Sequence, residues 1–468
     1  MWKGISKAIL LFGLLFLTFP LGAQVNDPFS GGGFGTFQPY EFTLQRSMGG
    51  LSAAITDPRY INPVNPASYA DFYVVQKARF REINKIKRKQ WDAEHGDSIE
   101  VFVMDTIYRD TAIGIIKNTS FQTSIDLEFY NTSNQNLLTK SSNGSLGYLA
   151  LAFPLPKLGG ISMGVMPYSN VNYNVIKSQN IDSIGQVDYR YTGNGGLYQF
   201  YTGIGMKFKN LRFGINARYI FGSIQLSEAL FLNEQNNALG TRQTTLLTVR
   251  GTRFDGGLIY KGKLAENIYL KAGTFVNSSA TLLAHTNTLI KTIFFNSSGN
   301  MAGLDSIRNA SLQDKASTMP LGYGGGLVIE KPETWMFGAE YRAEDWSGKQ
   351  GLISDIPLGR SWRVSVGGQI IPNFKGGFLE KLNYRFGGYY ARNYVLINNM
   401  PVLDYGMTFG FGIPIIRPRE VPNSTIDLSI QLGKTGDIRN NLLSENYFRI
   451  SLGFNMNDNS WIFKSKFY

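Results

Sequence analysis

The chain has 468 residues, a formal charge of +12, 13% aromatic residues, 52 glycines, two histidines and no cysteine. Charged residues make up 17%, against roughly a quarter in average chains, and beyond residue 21 no run of about 18 apolar residues offers a membrane-spanning helix. These values exclude a disulfide scaffold and a thiolate metal site, they disfavour a helical membrane protein, and no nucleic-acid motif accompanies the positive charge.

The first element in chain order is an export signal. Lys3 and Lys7 precede the apolar stretch Ala8 to Leu21, and Gly22-Ala23-Gln24 places cleavage after Ala23. Residues 1–23 are therefore read as a signal peptide.

Residues 24–120 are glycine-rich and irregular at first, then basic, and too long for a mere linker. They are read as a plug, or hatch, that carries a basic insertion. Gly49 and Gly50 allow close backbone approach, and Asn65, Pro66 and Ala67, followed by Ser68, suit a rigid, compact turn. The insertion, residues 71–118, holds Lys77, Arg79, Arg81, Lys85, Lys87, Arg88 and Lys89, with Glu82 the only acid among them. A solvated face is favoured over lipid phosphate or an acidic partner. Tyr73-Val74-Val75 and Ile99 to Tyr108 can pair as a hairpin, which at the extreme makes sixteen strands rather than fourteen.

From residue 121 to 468 the pattern has period two, the spacing that sends alternate side chains to opposite faces of a strand. Leu211, Phe213, Ile215, Ala217, Tyr219 and Phe221 alternate with Arg212, Gly214, Asn216, Arg218 and Ile220. Fourteen strands are predicted, centred near Ile125, Leu149, Val165, Ile204, Ile215, Phe254, Leu270, Gly325, Phe337, Val366, Phe386, Phe409, Leu428 and Ile450. Short connections at Pro154 to Gly160, Lys209-Asn210, Gly262 to Glu266 and Lys331 to Glu333 follow even strands. Odd strands are expected to lead into long polar loops such as Val171 to Gly195, Leu226 to Thr244 and Lys291 to Thr318. That asymmetry, with the short turns periplasmic, belongs to an all-β transmembrane antiparallel barrel. The terminal Trp461 to Tyr468 also alternates and can form a further strand.

In such a barrel the apolar face meets lipid and the polar face lines the lumen. Alternation then turns Asp126, Glu128, Arg212, Arg218, Asp255, Glu340, Arg342, Arg363, Arg385, Asp427 and Arg449 inward. Six bases against five acids read as lumenal ion pairs between wall and plug rather than as an anion-selective pore. Pro167 falls inside the third predicted strand, where its missing N–H must interrupt pairing or bulge the wall.

Catalysis has little to work with. His95 and His285 lie in no nucleophile motif, no metal-ligand spacing is present, and no cofactor or energy-coupling motif is found. The chain is read as a non-enzyme.

Taken together, Gly49-Gly50, Asn65-Pro66-Ala67-Ser68, Ser145 to Pro154, Met166-Pro167-Tyr168-Ser169 and Trp461 to Tyr468 resemble the FadL-type outer membrane transport proteins, especially Bacteroidetes-like members. The resemblance implies a fourteen-stranded barrel in the outer membrane of a Gram-negative bacterium, with an N-terminal hatch bearing the Asn-Pro-Ala turn. It also implies passive passage of hydrophobic small molecules, which leave sideways through a gap in the wall. Partners then expected are outer-membrane lipid, lipopolysaccharide and a hydrophobic ligand. The rival reading is a FadL-like plug or shuttle subunit of the type IX secretion apparatus, bound to other secretion proteins. An apolar pocket behind the hatch favours transport, and a filled lumen favours a partner.

Overall fold

The computed structural model describes residues 27–92, 97–117, 119–133, 138–182, 185–232, 239–295, 301–354, 356–373, 376–415, 424–441 and 443–458. The signal segment, His95 and the expected terminal strand at Trp461 to Tyr468 lie outside the described residues.

Fourteen antiparallel strands close into one barrel. They are β1 (Thr119–Ser133), β2 (Leu138–Leu155), β3 (Gly159–Ile181), β4 (Gly185–Phe208), β5 (Leu211–Leu232) and β6 (Gly240–Ala265). Next come β7, broken into Ile268–Asn277 and Ala280–Phe295, and β8, broken into Met301–Met319 and Gly322–Lys331. The wall is completed by β9 (Trp335–Asp345), β10 (Arg360–Ile370), β11 (Asn383–Ile397), β12 (Met400–Ile415), β13 (Ser424–Gly436) and β14 (Ser444–Asp458). Each predicted centre falls within its own strand. The ladder from Ser444↔Ser133 to Asp458↔Thr119 joins β14 to β1 and leaves no edge there.

The burial pattern is inverted relative to a soluble protein. On β5, Phe213, Ile215 and Tyr219 are 42%, 64% and 46% exposed, whereas Arg212, Asn216 and Arg218 are nearly inaccessible. On β12, Met407 and Phe409 face outward while Thr408 is buried. Apolar side chains on the exterior suit hydrocarbon, and polar ones inside require partners.

Two expectations are corrected. The segments read as long polar loops are largely strand: β3 runs on to Ile181, β5 to Leu232 and β7 to Phe295, each still laddered to its neighbour. Polarity on both faces imitates a loop, but ladder hydrogen bonds hold there without an apolar face. The sixteen-strand extreme also fails, because Tyr73–Asp92 and Asp97–Lys117 pair only with each other. Their 20 paired positions make a separate ribbon about 65 Å long at strand rise.

The turns after β2, β4, β6 and β8 are tight, and each carries a left-handed residue: Lys157, Lys209, Asn267 and Glu333. Both chain ends of the barrel lie at this rim. At the opposite rim β11 turns into β12 through Asn398-Asn399, both with positive φ, the demand of a tight hairpin turn that asparagine tolerates.

Candidate functional site

Residues 27–72 run through the interior and touch inward positions all round the wall. Near the rim of tight turns the Asn65 side-chain Oδ1 accepts the Ala67 N–H at 3.1 Å and caps a short 3₁₀ helix, Pro66–Phe72. The Asn65 amide donates to the carbonyls of Ala53 at 2.6 Å and Thr274 at 3.2 Å. Asn65 and Ala67 are fully buried. Inward glycines of the wall make room for this turn: a Cβ on Gly214 would stand 2.4 Å from the Pro66 carbonyl oxygen, and one on Gly257 would stand 2.0 Å from Asn65 Oδ1.

Further along the lumen, Gly49 and Gly50 adopt φ of +71° and +87°, a region open to glycine at little cost. A Cβ on Gly49 would lie 2.7 Å from the Val366 carbonyl of β10 and 2.8 Å from that of Gly388 on β11. The backbone therefore lies flush against the wall.

The eleven predicted lumenal charges are distributed as follows. Arg218 pairs with Asp255 and donates to the Pro63 carbonyl at 2.6 Å. Arg385 pairs with Asp427 at 2.5 Å and with the Tyr60 hydroxyl at 3.2 Å. Arg449 meets Glu128 at 3.1 Å within the wall. Arg212 holds Asp71 at 2.9 Å, Asp126 receives Arg46 at 2.6 Å, and Arg342 pairs with Glu41. Glu340 accepts the N–H groups of Ser52 and Ala53 at 2.6 and 2.7 Å. Arg363 donates to the Gly49 carbonyl at 3.0 Å and lies 3.8 Å over the Tyr389 ring.

Sequence reading missed the partners on the interior segment: Glu41, Arg46 and Asp71. It also missed Lys271, which joins Glu330 at 2.6 Å and the Thr56 carbonyl at 2.8 Å, and Arg253, which meets Glu344 at 3.0 Å. Parity with Leu270 and Phe254 could have found the last two. Burial raises the Glu41 pKa, but the guanidinium groups of Arg342 and Arg363 outweigh it and hold the carboxyl below its ordinary value.

Between β2 and β3 both strands run on past the point where their pairing stops. Their ladder runs from Leu155↔Gly159 only to Leu149↔Val165. Beyond it β2 pairs with β1 alone, from Tyr148 back to Leu138. Pro167 stands just past this point, opposite Tyr198 of β4, and the register slips between Pro167 and Ser169. The edge of β3 turned away from β4 takes up the interior segment instead, with Thr36↔Asn170 and Phe37↔Ser169 in register. Gln38 N–H donates to the Tyr168 carbonyl at 3.0 Å and Asp27 N–H to that of Asn172 at 2.8 Å.

Around this edge the lumen is apolar. Phe37 packs 5.4 Å from Tyr168, 5.5 Å from Trp346 and 4.6 Å from Tyr394, ring centre to ring centre. Trp346 and Leu352, from the connection between β9 and β10, cover the segment, and the Leu352 N–H donates to the Gly33 carbonyl at 2.8 Å. Below lies a cavity of about 250 Å³ whose lining mixes Tyr40, Tyr168 and Phe275 with Arg218, Arg253 and Arg363. His285 instead meets Asp314 at 2.8 Å in an exposed position.

A family model described as BamG matches residues 5–468. The chain belongs to the BamG family. No curated protein matches it by sequence. Among solved structures, this BamG-family chain is similar to the Pseudomonas putida toluene transporter TodX, with a TM-score of 0.52 at 15% identity over 90% of this chain and 100% of that one. It is also similar to a Pseudomonas aeruginosa FadL homologue, with 0.51 at 11% over 92% and 100%, and to the Ralstonia pickettii toluene transporter TbuX, with 0.51 at 11% over 89% and 98%. At such identities the likeness is one of fold: this BamG-family barrel has a FadL-like fold.

Proposed function

We propose that the chain lets hydrophobic small molecules cross the outer membrane passively, with lateral exit through the wall between β2 and β3. The observation that carries the reading is the ladder ending at Leu149↔Val165, since a sheet interrupted beside Pro167 is where an apolar molecule can leave without crossing a closed hydrogen-bonded wall. The toluene transporters and the FadL homologue of like fold support it by analogy. Residues 27–72, with Gly49, Gly50 and the Asn65-Pro66-Ala67 turn, act as the hatch, and Thr36-Phe37 must leave the β3 edge for the exit to open.

The test uses the absence of native cysteine. Thr36→Cys with Asn170→Cys joins register partners at strand-pair spacing. Uptake of a hydrophobic tracer such as toluene should fall on oxidation and return with reductant. Uptake indifferent to the bond rejects lateral exit at this gap.

A second reading, a plug or shuttle subunit of a secretion apparatus, is favoured by the interior: the cavity beside the hatch is small and ringed by guanidinium groups rather than continuously apolar. It predicts secretion defects in a deletion strain whose toluene uptake is normal.

A further inference from the structure

The outer surface of the wall changes character over one register step at the rim opposite the tight turns. Leu432 of β13, Phe448 of β14 and Phe129 of β1 stand side by side facing outward, and the two phenylalanine rings lie 6.0 Å apart. Two residues further up, the outward row reads Tyr405, Lys434, Asn446, Asn131 and Lys140 across β12, β13, β14, β1 and β2, each the register partner of the next. Asn131, Lys140 and Asn446 are exposed.

No carboxylate occurs in this row. Asp404 and Glu445, the nearest acids within these strands, fall on inward positions, where Asp404 takes the Tyr447 hydroxyl at 2.6 Å and Glu445 that of Thr132 at 3.0 Å. An aromatic band topped by cations and amides is the profile of a membrane interface. With tight turns periplasmic, this is the outer leaflet, whose headgroups in a Gram-negative envelope are phosphorylated glycolipid. Lys434 and Lys140 lie three strand spacings apart, about 14 Å, which suits two phosphates borne on one disaccharide, with Asn446 and Asn131 between them to meet sugar hydroxyls.

We propose that this row binds the headgroup of a diphosphorylated glycolipid of the lipid A class. Its position is fixed by β2: Lys140 stands on the strand whose far edge is the interrupted wall, so the bound lipid is seated at the outer corner of the gap. The inference needs only the orientation of the barrel and is independent of whether anything passes through the wall.

The test is native mass spectrometry of the full chain in neutral detergent, offered lipid A with both phosphates, the same lipid dephosphorylated, and inorganic phosphate as competitor. The phosphorylated lipid should be retained on the order of tenfold better than the dephosphorylated one. Lys140→Gln with Lys434→Gln should abolish that preference, while Lys263→Gln at the opposite rim leaves it unchanged. Equal retention of the two lipids, or an unaltered preference in the double variant, overturns the proposal. Displacement by inorganic phosphate at concentrations equal to the lipid reassigns the row to free phosphate and overturns the lipid assignment. If the glutamine pair does not assemble, Lys140→Arg with Lys434→Arg decides: retained preference supports recognition by charge, and its loss refutes it.

Discussion

Arg212 of β5 donates through one nitrogen to both carboxylate oxygens of Asp71, at 2.9 and 3.0 Å. Asp71 closes the interior segment just before the ribbon begins at Tyr73, so this pair ties the segment's end to the wall. Both side chains are under a tenth exposed, and removing one partner of a buried pair strands the other, at a cost of about 3 to 5 kcal/mol. Asp71→Ala should therefore lower the temperature of the heat-induced gel shift sharply, whereas Asp71→Leu with Arg212→Met should recover most of it. Equal losses in both variants would contradict the pairing argument.

Glycine in the wall should be tolerated or required according to what lies inside. A Cβ at Gly214 would meet the Pro66 backbone at 2.4 Å, while one at Gly256 would meet nothing within 4 Å. Gly214→Ala is expected to destabilise by about 1 to 3 kcal/mol, and Gly256→Ala by under about 0.5 kcal/mol. Denaturant unfolding of the two purified variants side by side would check the contrast.

Glu41 supplies a pH dependence. Its folded pKa lies below the ordinary 4.5, so its ionised form stabilises the fold above that value, and the contribution is lost as pH falls through the folded pKa. Wild type should outlast Glu41→Gln at pH 7, and the two should converge as the pH drops below about 4.5. Gel-shift midpoints across pH would show it, and a lead for wild type that grows in acid would refute it.

The wall was legible because an apolar exterior and a polar lumen enforce strict alternation, as with Phe213 and Ile215 against Arg212 and Asn216. The same parity oriented all eleven wall charges. It had no purchase on Glu41, Arg46 or Asp71, because an irregular segment has no period from which to infer direction. It also lost β3 beyond Val171: past the apolar band of the exterior both faces can be polar, and Tyr173 to Ile181 reads like a loop although its backbone remains paired. Pro167 stands just past the end of the β2–β3 ladder, but no sequence signal pointed to Thr36 and Phe37 pairing with β3 beyond it, a pairing between segments more than a hundred residues apart.

The continuation of β3 to β8 beyond the apolar band also bears on how the chain meets proteases. A protease must draw its substrate into an extended, unpaired form before it can cut, and the exposed residues Asn174 to Asn180 are already committed to a ladder with β4. Exposure and cleavability are thereby separated. This side of the barrel can offer a peptidase backbone that is visible but not available.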